Sequence, residues 1–314
     1  MKMKNKFIKN IVAACLILSV GNGLNAQAVE PRREFKTTES KAMGLSSDGN
    51  WLVMSAKQQI NVFHTRTGLV MRTFQEHTSN VTVVATSPRK RVAVSGDEHG
   101  HLILWNIDDL TVVQKYEPLK GTIKSAKFSK EGTQFVVVVG NKIRIYDLIN
   151  SQPIAKLDKI GNGELSAVDF VESKNTLLTA TENGFVSTWT VSDSVKLVKS
   201  FKAHEGKITG VSQLRNGMIV TASEDKTVKT WDVSGKMKKT FNVGEVKTMD
   251  VSADQKTVVL ALNSGSTEVI DLATGNAKFK FDVKADVKES FYHPTEPLVV
   301  SLYTDNTARS WILR

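Results

Sequence analysis

Three observations predict an all-β chain built as a ring of seven repeated units. Beyond residue 28 no long apolar pattern of helical period occurs; short alternating runs recur instead, separated by Gly, Asn, Asp and Ser turns. A large apolar residue sits near the end of one such run at Phe63, Trp105, Tyr146, Trp189, Trp231, Ile270 and Trp311, at spacings of 42, 41, 43, 42, 39 and 41 residues. No linker or low-complexity stretch interrupts this period. A repeat of about 40–45 residues marks a unit that cannot bury both its faces alone and must stack on neighbours. Seven four-stranded antiparallel blades closed into a β-propeller meet that requirement.

The first 28 residues stand outside the repeat. Lys2, Lys4, Lys6 and Lys9 precede an apolar run from Ile11 to Val20, and a small-residue stretch ends Ala26-Gln27-Ala28. That order of basic, apolar and small-polar segments predicts a secretory signal peptide cut after Ala28 or after Ala26. Ten apolar residues fall short of the about twenty that span a bilayer, which disfavours an uncleaved anchor. Val12-Ala13-Ala14-Cys15 has the look of a lipoprotein box, but it precedes most of the apolar run. Cleavage would remove four lysines and the only cysteine, taking the formal net charge from +10 to +6. A cysteine-free mature chain has no disulfide, thiolate metal site or cysteine nucleophile. The expected setting is a bacterial periplasm or secretion, and export argues against nucleic acid as a partner.

The rest of the chain, residues 29–314, then reads as one propeller domain, with blades starting near 40, 77, 120, 164, 204, 245 and 286. Six fourth strands close on an apolar residue ten to twelve positions past the marker: Phe74, Tyr116, Leu157, Phe201, Phe241 and Phe281. Blade seven has no room for one, since only three residues follow Trp311. An unused strand at 33–37 precedes blade one, so it is expected to pair beside Trp311 and supply Phe35 as the missing closing residue.

Blade five is the most regular. Strands are expected from Ile208 to Gln213, Met218 to Ser223 and Thr227 to Val233, with a tight turn at Glu224-Asp225-Lys226. An imidazole at His204 between the Asp225 carboxylate and a strand hydroxyl, Thr221 or Ser223, would tie the turn to the preceding loop, with the Trp231 indole N–H joining the network. This stretch resembles the WD40 repeat in its His, its turn Asp and its Trp-Asp pair. His77 and Trp105 occupy matching offsets in blade two, where His99 stands at the turn-Asp position. Asn183 and Asp305 stand there in blades four and seven, neither of which has the His. The full network is therefore expected in blade five alone. The resemblance implies a rigid, non-catalytic platform whose partners bind its top face.

Catalytic and cofactor motifs are missing from the sequence. There is no His-Glu-x-x-His, no phosphate-binding Gly-rich loop and no Gly-x-Ser-x-Gly. The cluster Asp97-Glu98-His99-Gly100-His101 reads as a solvated turn in preference to a metal site. Neither a cofactor nor a metal is expected, and the isolated chain is expected to be a monomer.

Binding is expected where each blade's first strand meets the channel. The residue after the first apolar position of that strand is Lys41, Thr82, Lys124, Ser166, Thr209, Lys247 and Lys288 in turn. Lys247, Lys288 and Lys41 fall on consecutive blades and predict a basic arc, with Lys57 and Lys124 nearby, that suits an acidic protein segment or an anionic glycan or lipid head group. The competing view is a set of solvated lysines neutralised by Glu245, Asp286 and Glu289. The sequence thus points to a protein-interaction scaffold; the alternative is a ligand- or glycan-binding propeller, or an enzyme at the channel mouth.

Overall fold

Short alternating segments become strands here because each blade must bury apolar side chains on both faces. The computed structural model describes residues 30–109, 111–171, 175–192 and 194–314; the expected signal segment lies outside them. From Pro31 onward the chain forms one unit of seven four-stranded antiparallel sheets, with no helix among the described residues. In six blades the strands follow chain order from the channel outward, and the innermost strands of successive blades are neighbours.

Burial follows position in the blade. Second strands are near-continuous apolar runs, as in Thr257–Leu262 and Gln134–Val139, because the adjacent blades cover both their faces. Outermost strands are mostly exposed: in Met237–Asn242 only Phe241 is buried. The seven marker residues all lie on third strands and are all buried. Phe281 stacks on Trp311 with ring centroids 5.1 Å apart, joining blade six to blade seven.

The ring is closed by the chain's own N-terminal strand. Arg33–Lys36 pairs antiparallel with Thr307–Ile312 as the fourth strand of blade seven. Phe35 faces Ala308, three residues before Trp311. Phe74, Leu157, Phe201, Phe241 and Phe281 face the same position of their own blades, Ile60, Ile143, Val186, Val228 and Thr267. Phe35 is 1 % exposed and meets Phe63 of blade one edge-on at 5.8 Å. Arg309 binds Glu34 at 3.0 Å, and Arg32 pairs with Glu296. The closing strand ends at Lys36, one residue short of the expected bound.

The third strand of blade five ends at Trp231 instead of Val233, and its second strand begins at Ile219. Asp232 turns the chain: its carboxylate accepts the N–H groups of Ser234 and Lys236, leaving Val233 at a solvent-exposed bend.

Candidate functional site

The channel is shaped by a recurring backbone irregularity. In blades two to seven the innermost strand carries one extra residue, a β-bulge, and the bulged residues are Thr82, Lys124, Ser166, Thr209, Lys247 and Lys288. A bulge twists the strand locally and re-aims a side chain. In blade one Lys41 precedes the strand, and its N–H and that of Ala42 are held by the Ser55 hydroxyl at 2.8 and 3.0 Å. All seven residues line one cavity of about 370 Å³ at the end where the innermost strands begin, called here the upper end.

The lysines differ in how they are balanced. Lys41 pairs with Glu98, Lys57 with Glu39 at 2.9 Å and Lys124 with Glu164 at 3.6 Å. Of the expected neutralising set, Glu245 accepts from the Asn263 amide, and Glu289 accepts the Met43 N–H at 2.6 Å while its charge acts on Lys288 without an ion pair. Lys247 and Lys288 donate to main-chain carbonyls, Val287 at 3.2 Å and Ser40 at 2.6 Å, and neither has an ion-pair partner among the described residues. Lys57 does not line the cavity.

Glu289 is the least expected member of the site. It sits inside the upper compartment beside the bulged Lys288. Burial drives its carboxyl pKa up to about 8, against the opposing effects of the Met43 N–H, Lys288 and Lys127. Burial likewise lowers the Lys288 ammonium, partly offset by Glu289 and Asp305.

A second compartment of about 310 Å³ lies further along the channel and shares Val84, Ala126, Lys127 and Phe291 with the first. Asp169 and Asp250 line it. Asp169 accepts from the Ser212 hydroxyl at 2.8 Å and pairs with Lys130 at 3.5 Å. Asp250 accepts the Tyr292 N–H at 2.9 Å, and burial raises its pKa despite Lys127. Lys127, Asp169, Asp250 and Phe291 each lie three residues past a bulged residue. Simple alternation puts positions two apart on one face; the inserted residue makes it three, so the sequence pattern hid this inner layer.

Away from the channel, the blade-five network is assembled. His204 donates from Nδ1 to Asp225 at 2.9 Å, and its Nε2 lies 2.7 Å from the Thr221 hydroxyl, which also accepts the Trp231 indole N–H at 2.9 Å. Thr221 is thus the strand hydroxyl, while Ser223 caps the turn by accepting the Asp225 N–H and donating to the Lys207 carbonyl. Blade two corrects the expectation that blade five stands alone. His77 binds Asp97 at 3.0 Å and Ser95 at 2.6 Å, and Trp105 donates to Ser95 at 2.7 Å. The carboxylate comes from the strand end, two residues before His99, which is exposed at the turn. Asp97 also accepts from His101 at 2.9 Å. In blade seven Asp305 binds Arg309 at 2.7 Å in place of an imidazole. Burial lowers the pKa of both His77 and His204, against the pull of their aspartates. No group of three or more His, Cys, Asp or Glu arranged to hold a metal ion occurs among the described residues.

The WD domain, G-beta repeat family matches residues 68–106 and 195–232. Each match runs from the hairpin or outermost strand of one blade to the third strand of the next, ending in the two blades with a complete network. Among curated proteins the chain is similar to the SIR4-interacting protein SIF2 of Saccharomyces cerevisiae, 24% identical over 262 residues, 77% of this chain and 48% of that protein. It is also similar to eukaryotic translation initiation factor 3 subunit I of Drosophila virilis, 24% identical over 251 residues, 74% of this chain and 77% of that protein. A periodic tryptophan protein 2 homolog of Dictyostelium discoideum is 21% identical over 253 residues, 77% of this chain and 27% of that protein. The chain spans about half the length of the yeast relative. With seven four-stranded blades, a ring closed by its first strand, and these matched repeats, the chain belongs to the WD40-repeat β-propeller family.

Proposed function

We propose that this propeller is a non-catalytic interaction scaffold that captures protein partners through acidic segments at the upper channel mouth. The observation that carries the reading is the convergence of Lys41, Lys124, Lys247 and Lys288 on one open cavity, with Lys247 and Lys288 lacking a carboxylate partner among the described residues. Lysines clustered over a concave, low-dielectric surface attract negatively charged groups and speed their capture. The similarity to a SIR4-interacting protein and to a subunit of an initiation factor supports a role in assembly.

We further propose that the protein works outside the cytoplasm, in a periplasm or after secretion, on the strength of the basic, apolar and small-residue order of residues 1–28. Crosslinked pull-down of the tagged protein from its native cell envelope tests the scaffold, with the Lys41→Glu, Lys247→Glu, Lys288→Glu variant alongside. One or two proteins captured by the parent and lost from the variant are expected. No enriched protein in either sample would overturn the reading and direct attention to a small ligand or glycan. Fractionation with N-terminal sequencing tests the location: an exported chain beginning near residue 29 is expected, and an uncut cytoplasmic chain would refute it.

A further inference from the structure

We infer that the upper compartment is a carboxylate receptor, in which Lys247, Lys288 and Glu289 together hold one acidic side chain of a partner segment inserted into the channel. The inference rests on the top-face reading and names the group that face recognises. It also adds an element the basic arc does not contain, a carboxyl group that must be protonated for the ligand to bind.

The three residues lie on the innermost strands of blades six and seven, which are neighbours, and all line the same cavity. Lys41 and Lys124, on the same rim, already have glutamate partners. Lys247 and Lys288 donate to main-chain carbonyls and make no ion pair among the described residues, so an arriving anion there breaks no salt bridge. Two ammonium groups thus supply donors for an oxyanion.

Glu289 decides whether that anion is accepted. One of its oxygens takes the Met43 N–H at 2.6 Å. Burial outweighs the cations around it and raises its carboxyl pKa to about 8, so it is largely protonated at pH 7. Those facing groups are Lys288 on its own strand, Lys247 from blade six, Lys41 from blade one and Lys127 from blade three; Asp305 acts on Lys288 but is tied to Arg309. Protonated, Glu289 can donate its O–H to a carboxylate, whereas ionised it would repel one and compete for the same lysines. A cavity of about 370 Å³ admits a side chain and some water but not a folded element, which selects an extended acidic segment.

The test is fluorescence anisotropy of a labelled hexaglutamate peptide on the full mature chain at low salt, from pH 6 to pH 9. If only the protonated receptor binds, affinity falls about tenfold between pH 7 and pH 9. Glu289→Gln, which keeps a neutral donor, is expected to bind at pH 7 as the parent does and to lose that dependence. Lys247→Met is expected to weaken binding at every pH. Lysine titration alone would leave the parent's pH dependence intact in Glu289→Gln, and that result would overturn the inference. So would a flat parent profile, no peptide binding at millimolar concentration, or binding of citrate but not of the peptide. A partner lost in the triple charge reversal yet held by Glu289→Gln without the expected change in pH dependence would leave the scaffold standing and remove the receptor.

Discussion

Truncating Phe35 tests ring closure where its energy is concentrated. Phe35 lies on a strand of four residues whose other side chains are exposed, so the strand's apolar contribution rests on one ring. That ring is 1 % exposed and packs with Met43, Leu52 and Phe63 of blade one and Val300, Leu302 and Ala308 of blade seven. Burying a phenylalanine removes about 150–250 Å² from water, worth about 4–6 kcal/mol at about 25 cal/mol/Å² as an upper bound. Measured truncations of buried phenylalanine cost about 3–5 kcal/mol, and we expect Phe35→Ala to fall there. At this chain length that is a fall of about 10 °C in Tm. Urea unfolding followed by tryptophan fluorescence and circular dichroism gives the difference directly. Glu34→Ala, which removes exposed ion pairs with Arg309 and Lys36, should cost less than about 1 kcal/mol. Deleting residues 29–38 should cost at least as much as Phe35→Ala, since it also leaves Thr307–Ile312 as an unpaired edge. A loss below about 1 kcal/mol for Phe35→Ala would refute the claim that this strand closes the ring.

The polar networks and turns give further tests. Asp225→Ala and Asp97→Ala each strand a buried imidazole N–H and should cost about 1–3 kcal/mol by urea unfolding, adding in the double variant because the sites share no partner. Burial holds His77 and His204 below their ordinary pKa, so the unfolded chain protonates first. Their contribution is complete above about pH 6.5 and is lost as pH falls toward the folded values. Glu289 has the opposite sign: its pKa is raised from 4.5 to about 8, so its contribution is complete below about pH 4.5 and is lost as pH rises to 8. Glu289→Gln should therefore flatten the fall in stability between pH 5 and pH 8, and an unchanged slope would refute the buried carboxyl. Gly184→Ala would place a methyl 1.9 Å from the His204 carbonyl oxygen, whereas Gly140→Ala meets nothing within 4 Å. Both pay the left-handed backbone cost, and Gly184→Ala should lose about 1–3 kcal/mol more.

The fold was legible because a propeller repeats one local problem seven times. Phe63, Tyr146 and Ile270 keep the marker position without the family's tryptophan, since that site demands bulk between blades more than it demands an indole. Phe35 was legible for the same reason: six blades had a closing residue and the seventh lacked one. Offset from the tryptophan does not locate the acid of the blade-two network. Asp97 on the strand end and Asp225 in the turn begin from different Cα positions, yet both carboxylates reach Nδ1 of the histidine. Hydrogen bonding constrains where the oxygen arrives, not which backbone position sends it.

The channel shows where a repeat stops informing. The seven rim positions followed from the period, because the β-bulge recurs at one place in blades two to seven. Their electrostatic partners did not follow, because those come from other turns or other blades: Glu98 reaches Lys41 across 57 residues, and Glu289 of blade seven takes the Met43 N–H of blade one across 246. Lysine at a rim position therefore does not by itself make a free cation. Lys41, Lys124, Lys247 and Lys288 have equivalent placements but unequal neighbours, and only the last two lack an ion pair among the described residues. The same scaffold that fixes where a side chain emerges leaves its charge balance to residues outside the repeat's own pattern. The channel's chemical individuality consequently lies in the departures from seven-fold regularity, and Glu289, an acid in a layer otherwise formed by Ala42, Val83, Ser125, Ala167, Gly210 and Thr248, is the largest of them.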